Sequence, residues 1–199
     1  MIEIIDICKD KPYKYFEKYY NSAIQANQRS IEAISISSFN KDSNEVESRY
    51  VNLKYIIGNE WTFFSNYESP KSKDFLSHDQ ISALLYWGSL NLQIRFKAKI
   101  YKSSNEFSDE HFKTRTKEKN ALAISSSQSQ FIESYSEVEK SYENVLSAIN
   151  EDTQRPDFWG GFTFVPYYFE FWEGHKNRLN KRHVFQLQEK TWKEWFLQP

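Results

Sequence analysis

The chain has 199 residues, with 26 basic and 27 acidic side chains and a formal net charge of −1. That balance argues against a general nucleic-acid binder, which carries a basic excess. The single cysteine, Cys8, leaves no internal disulfide and suits a reducing compartment, so a cytoplasmic location is expected. No run of about 18 apolar residues is present to span a membrane, and the start MIEIIDICKDK reads as too short and too acidic for a signal peptide. His78, His111, His175 and His183 show no ligand spacing with one another or with Cys8, so no metal site is expected. Aromatic residues make up 18% of the chain, a supply that suits strands and must fill much of the core.

Along the chain, Pro12 to Asn27 carries Tyr13, Phe16, Tyr20 and Ile24 at helical spacing. Glu32 to Phe39 reads as a strand, followed by a turn in NKDSNE. Arg49 to Ile57 reads as a second strand, with Val51, Leu53, Tyr55 and Ile57 on one face and Tyr50, Asn52 and Lys54 on the other. Trp61 to Asn66 is a third. Ser69-Pro70-Lys71 opens a short helix, with Ser as N-cap and Pro at the first helical position. Gln80 to Trp87 and Leu92 to Lys102 are strands, and the second alternates cleanly between apolar and polar residues.

Residues 105–150 turn polar and helical. SSSQSQ at 125–130 interrupts them, and Val138, Tyr142, Val145 and Ile149 mark a helix stripe. Strand patterning returns in GGFTFVPYYFEFWEG, RHVFQLQ and TWKEWFL. One antiparallel barrel decorated by helices fits this order best, as a single domain over 1–199 with a helical insert at about 105–150 and a strand region at about 158–199.

Cations and amides are scattered through these elements: Arg49, Lys54, Lys71, Lys73, Gln93, Arg178 and Arg182. A phosphorylated planar ligand would use such a set, with cations for phosphate, amides for ring heteroatoms and an aromatic wall. Lys71 and Lys73 also sit in the first turn of a helix, where backbone N–H groups attract anions. Taken singly, each side chain is as well explained by solvation or capping, and Trp172 by core packing.

Read together, the motifs resemble a known family. RPDFWGGFTFVPYYFEFWEGHKNRLNKR, with Pro156, Trp159-Gly160-Gly161-Phe162, Glu170-Phe171-Trp172, Gly174, Arg178-Leu179 and Arg182, resembles the signature of the pyridoxamine 5′-phosphate oxidases. RYVNLK (49–54), FFSNYESPK (63–71) and SSSQSQ (125–130) are similar to further blocks of that family, in family order. The resemblance implies an FMN-binding split β-barrel, α+β and mainly β, assembled as a homodimer with FMN at the interface. It implies oxidation of pyridoxamine or pyridoxine 5′-phosphate to pyridoxal 5′-phosphate by O2, giving H2O2.

By resemblance, FMN would be held by Arg49, Lys54, Phe64, Ser65, Lys71 and Gln93, with Gln128, Ser129, Trp172 and Arg182 supplied by the partner subunit. Lys54, His111, Arg115 and Lys119 would grip the substrate phosphate, and Arg178 and Asn180 would face the reacting carbon. The chain departs from the family at Pro70, where an arginine is usual and Lys73 would stand in. It also departs at His111 for Tyr, at Lys119 for Ser and at Asn180 for His. The alternatives implied are an FMN oxidase of the phenazine-biosynthesis type, acting on another planar substrate, and a non-catalytic flavin or pyridoxal phosphate carrier.

Overall fold

The computed structural model describes residues 1–199 and contains fourteen regular elements besides one short 3-10 turn. Strands are β1 (Glu3–Ile5), β2 (Ala33–Asn40), β3 (Glu45–Ile57), β4 (Glu60–Asn66), β5 (Gln80–Trp87), β6 (Leu92–Lys102), β7 (Trp159–Glu173), β8 (Lys181–Gln188) and β9 (Thr191–Leu197). Helices are α1 (Lys11–Gln25), α2 (Pro70–Ser77), α3 (Asn105–Thr114), α4 (Lys117–Ser125) and α5 (Tyr135–Ala148).

All nine strands belong to one sheet. Its order runs β3-β2-β5-β6-β7, and β4 pairs with both β3 and β7, which closes the ring into a barrel. Closure removes the edges of those six strands, leaving β1 and β9 as the terminal ones. The pairings are antiparallel except for β1, which lies parallel to the C-terminal end of β3. That three-residue strand was not legible in the sequence, because it is too short to show alternation.

The barrel is filled with aromatic side chains. Trp61, Phe63, Phe96, Phe162, Phe164 and Phe169 are all buried to 1% exposure or less. Their rings meet at tilted and edge-on angles, as at Trp61–Phe96 (5.0 Å) and Phe96–Phe169 (5.2 Å), the arrangement favoured by the ring quadrupole. Helix α1 buries Tyr13, Phe16, Tyr20 and Ala23, and Phe16 packs on Trp61 at 4.5 Å. Ile24, expected on this stripe, is instead exposed and Ala23 takes its place. The α5 stripe is present but shallow, since none of its residues is fully buried.

Two local features set up the rest. First, β7 changes partners along its length: residues 159–164 pair with β4, whereas 168–173 pair with β8. It is a 15-residue strand, roughly 45 Å long at strand rise, and so it carries residues from one end of the molecule to the other. Second, β3 is bulged between Leu53 and Tyr55. The expected alternation therefore fails there: Leu53 and Ile56 point into the core, while Lys54 and Tyr55 are both half-buried. Strand β3 also begins earlier than its pattern implied, because Glu45 to Ser48 continue the ladder with β2 although all four, Val46 included, are exposed. No helix is long and apolar enough to cross a membrane.

Gly160 and Gly161 lie where β7 crosses β4. A Cβ on Gly160 would run into the Tyr67 hydroxyl and meet Ser108 Oγ at 3.0 Å. Gly160→Ala is therefore expected to destabilise the chain by about 1–3 kcal/mol, the usual penalty of overpacking. A urea unfolding curve with an unchanged midpoint would contradict this packing.

Candidate active site

A cleft of about 840 Å³ opens beside the barrel, between β3, β4, the start of α2, the α3–α4 junction and the segment after α4. Ten of the expected residues line it: Arg49, Lys54, Phe64, Ser65, Lys71, His111, Arg115, Lys119, Gln128 and Ser129. They come from six separate segments, so only the folded barrel brings them together.

The electrostatics of this cleft are lopsided. Five cations line it, Arg49, Lys54, Lys71, Arg115 and Lys119, against one carboxylate, Glu47, which pairs with Arg49 at 2.9 Å. None of the other four cations forms a salt bridge within the chain. Arg115 lies over the Trp159 ring at 4.2 Å, and its Nε is buried without a hydrogen-bond partner. Burial pushes its pKa down to about 10. Lys71 is 7% exposed and donates to Ser69 Oγ (3.0 Å) and Gln128 Oε1 (3.1 Å). Burial, reinforced by the Arg49 charge, pushes the Lys71 amine down to about 8. Lys71 is buried, Lys54 and Arg115 are half-buried and Lys119 is exposed; unpaired cations taken out of water are costly, so their gathering in one cleft points to an anionic ligand.

Arg49 is oriented from behind. Its Nη1 donates to Ser38 Oγ (2.7 Å), and Ser38 Oγ donates to Asp74 Oδ2 (2.7 Å). Asp74, buried on α2, also accepts from Asn40 Nδ2 (3.0 Å). Sequence reading missed this relay, because no local pattern joins Ser38, Arg49 and Asp74. His111 stacks on Phe64 with centroids 3.7 Å apart, and its Nδ1 lies 2.9 Å from the Tyr55 hydroxyl. Trp159 was noted only as part of a motif; it backs the Phe64–His111 stack and carries Arg115.

Three expectations need correction. Gln128 and Ser129, assigned to a partner subunit, line this chain's own cleft. The segment after α4 folds back on β4 and α2, where Gln128 Oε1 accepts from Ser65 Oγ (3.1 Å) and Lys71 Nζ. Ser129 adopts a left-handed backbone (φ 66), unusual for a residue other than glycine. Lys73, expected to replace the arginine missing at Pro70, is exposed and outside the cleft, because it lies on the solvent side of α2.

Gln93, expected beside Arg49 and Lys71 in this chain's cleft, is outside it, because β6 places it opposite Trp172; with Trp172 and Arg182 it forms a group of its own. The register places them in one row across β6, β7 and β8, Gln93 opposite Trp172 and Trp172 opposite Arg182. Trp172 stands near the far end of β7 from Gly161, the residue paired with Phe64. Arg182 is held by Glu170, which is 1% exposed and also accepts from Arg95 and Tyr168. Burial raises the Glu170 pKa, but hydrogen bonds from Arg182 and Tyr168 and the Arg95 charge outweigh it and hold the carboxyl low. Arg178 and Asn180 lie in the β8 approach, Arg178 exposed with φ 60, and Asn180 Oδ1 accepting from the His175 backbone (3.0 Å).

Comparison with known proteins gives these positions a context. Residues 159–199 match the pyridoxine 5′-phosphate oxidase C-terminal dimerisation region. The chain is similar to a pyridoxine/pyridoxamine 5′-phosphate oxidase of Rippkaea orientalis, 34% identical over 190 residues that cover 94% of this chain and 89% of the relative. It is similar to that of Cupriavidus taiwanensis, at 32% identity over 94% of this chain and 87% of the relative. Among solved structures, PhzG of Burkholderia lata, in complex with tetrahydrophenazine-1-carboxylic acid, superposes with a TM-score of 0.89 at 22% identity, covering 95% of this chain and 93% of that one. A pyridoxamine 5′-phosphate oxidase-related, FMN-binding protein of Nostoc punctiforme gives 0.77 at 9% identity, over 96% and 99% of the two chains. At those identities the two structures speak for the fold alone.

The Lys71 amine yields a pH-dependent test. Its folded pKa, about 8, lies below its ordinary 10.5, so the unfolded chain holds more protons between those values and stability rises with pH across that window. Below pH 8 the cost of the buried charge is fully present. Lys71→Met should then stabilise the ligand-free chain at pH 7, by on the order of 1 kcal/mol, and the gain should fade towards pH 10.5. Thermal unfolding at pH 7 and pH 10 checks it; a loss of stability at pH 7 would contradict it.

Proposed function

The chain belongs to the pyridoxine/pyridoxamine 5′-phosphate oxidase family, and we propose that it binds FMN and oxidises pyridoxamine or pyridoxine 5′-phosphate to pyridoxal 5′-phosphate in the cytoplasm. The observation that carries this reading is the set of four cations with no carboxylate partner in the chain, Lys54, Lys71, Arg115 and Lys119. Two phosphate monoesters, one on the cofactor and one on the substrate, bring roughly −3 to −4 charge, which matches that surplus. The residues also fit the remainder of the two ligands, with Gln128, Ser65 and Ser129 as polar partners and Phe64 as an aromatic wall.

On this reading Arg49 and Lys71 hold the FMN phosphate, with Arg49 braced by Ser38 and Asp74. Phe64, Ser65, Gln128 and Ser129 line the flavin. Lys54, Arg115 and Lys119 grip the substrate phosphate, with His111 beside them. A bound FMN would supply the two-electron redox chemistry, as acceptor of the substrate's hydride and donor to O2, which with two protons gives H2O2. The protein's part is to hold two rings in register, neutralise two phosphates and exclude water.

The remaining residues call for a second copy of the chain. Gln93, Trp172 and Arg182 share a row that one chain holds far from its own cleft. A symmetric homodimer would bring the row of each copy to the cleft of the other, and Arg178 and Asn180 would follow from the same end. The match of residues 159–199 to a dimerisation region supports that arrangement.

One observation favours a second reading. Asn180 already accepts a backbone hydrogen bond and, unlike histidine, does not titrate near neutral pH. A site so altered suits oxidation of another planar substrate, of the phenazine-biosynthesis type.

The deciding experiment is an anaerobic absorbance spectrum of the FMN-loaded protein before and after pyridoxamine 5′-phosphate. Bleaching of the flavin band, with recovery and peroxide on admitting air, is expected. A yellow protein that never bleaches with this substrate would overturn the reading, in favour of another substrate or a non-catalytic carrier. In the same assay, Arg115→Ala should raise the substrate KM by roughly 10- to 100-fold, the loss of one hydrogen bond from a charged donor.

A further inference from the structure

The bulge in β3 has a chemical consequence. Leu53 and Ile56 are both fully inside the core, so the two residues between them turn away from it together. Bulges re-aim side chains in this way and are common beside functional sites. Lys54 enters the cleft as a cation, and Tyr55 brings its hydroxyl to 2.9 Å from His111 Nδ1.

The His111 ring is held on several sides. Phe64 stacks on it with an interplanar angle of 15°, Tyr55 meets it edge-on at 5.4 Å, and Trp159 lies parallel at 6.2 Å. Its plane is therefore fixed, and with Nδ1 engaged the free position is Nε2. That nitrogen makes no hydrogen bond within the chain and is not sealed from solvent, and the ring lines the cleft. The charged groups facing it are Arg115 from the end of α3, Lys119 from α4 and Lys54 from β3, all positive. Phe64 and Trp159, from β4 and β7, are uncharged. Burial, followed by the charges of Arg115, Lys54 and Lys119, pushes the His111 pKa down to about 4, so the ring is neutral at pH 7.

A neutral imidazole carries one N–H, and its location follows from the bond that the other nitrogen makes. Here the partner is a phenol. Phenol is the stronger acid and the imidazole nitrogen the stronger base, and burial keeps the Tyr55 hydroxyl protonated. The favoured arrangement is Tyr55 O–H donating to Nδ1, with the histidine proton on Nε2.

We propose that Tyr55 is a positioning residue that fixes His111 as the Nε2–H tautomer, so that the cleft offers the substrate phosphate a neutral hydrogen-bond donor among its fixed cations. The proposal rests on the reading of this cleft as a phosphate site. A neutral donor adds a bond to the ligand without adding repulsion among Arg115, Lys119 and Lys54 while the cleft is empty. It also leaves the His111 contribution unchanged between pH 6 and 8. Where the family resemblance leads one to expect a tyrosine hydroxyl, this chain would then supply a donor of the same charge through a two-residue unit.

The test uses the full-length FMN-loaded protein with pyridoxal 5′-phosphate as probe. Histidine side-chain 15N NMR should show His111, identified by its loss in His111→Gln, as the Nε2–H tautomer from pH 6 to 8. Tyr55→Phe should mix the tautomers and weaken pyridoxal 5′-phosphate in proportion to the Nε2–H fraction lost, about twofold for an equal mixture. A wild-type His111 found as Nδ1–H or doubly protonated would overturn the proposal without any variant. So would an affinity and tautomer unmoved in Tyr55→Phe. Failure of the wild type itself to bind pyridoxal 5′-phosphate would instead sink the substrate reading, and the ligand assigned to Nε2–H with it.

Discussion

Four positive side chains, Lys54, Lys71, Arg115 and Lys119, share one cleft without a carboxylate to pair any of them. Two of the four are drawn out of water at a cost in stability, the Lys71 amine and the Arg115 guanidinium, both pushed towards their neutral forms by burial. A chain with nearly equal numbers of acids and bases could have supplied counterions cheaply. Instead, the carboxylate nearest in role, Asp74, is buried behind the cleft and acts through Ser38 on Arg49. Only Glu47, paired with Arg49, enters the space, and the other four cations are left to meet a ligand. The aromatic barrel makes this tolerable, because a dense core of Trp and Phe supplies the stability that the site consumes.

The second constraint is geometric. Strand β7 runs the length of the molecule, pairing with β4 at the cleft and with β8 at the opposite end. The glycine pair at 160–161 lets β7 pass close to Tyr67, Ser103 and Phe64. At its far end, Trp172 stands between Gln93 and Arg182, with Glu170 clamping the arginine. Rigid strands thus hold the cleft residues and the Gln93–Trp172–Arg182 row apart within one chain. On the proposed reading, each finds its complement in a second copy, which ties binding of the cofactor to assembly.

Much of this was legible before the structure. Strong periodicity located the strands from Ala33 to Leu197 within a few residues, and α1 within two. The blocks that resemble the oxidase family pointed to residues that the fold gathers from six segments. What escaped was whatever breaks a period or depends on contact. The bulge at Lys54 reverses the phase of β3, so Tyr55 reads as a core residue by alternation and is not one. The Ser38–Asp74 relay joins residues with no sequence relation. Gln128 was assigned to the wrong copy, because a motif gives residue types but not the path of the loop that bears them. β1 is too short to show alternation.

The central claim is that a working site is built from the cleft of one chain and the β6–β7–β8 row of another. Mixing two variants tests it most directly: Lys71→Ala with Arg115→Ala in one chain, and Trp172→Ala with Arg182→Ala in the other. Each variant alone should bind FMN poorly. After subunits are exchanged at equal concentrations, half the dimers are mixed and each mixed dimer has one intact site, so about a quarter of the sites should recover tight FMN binding. A mixture that binds no better than its two components would contradict a site shared between copies.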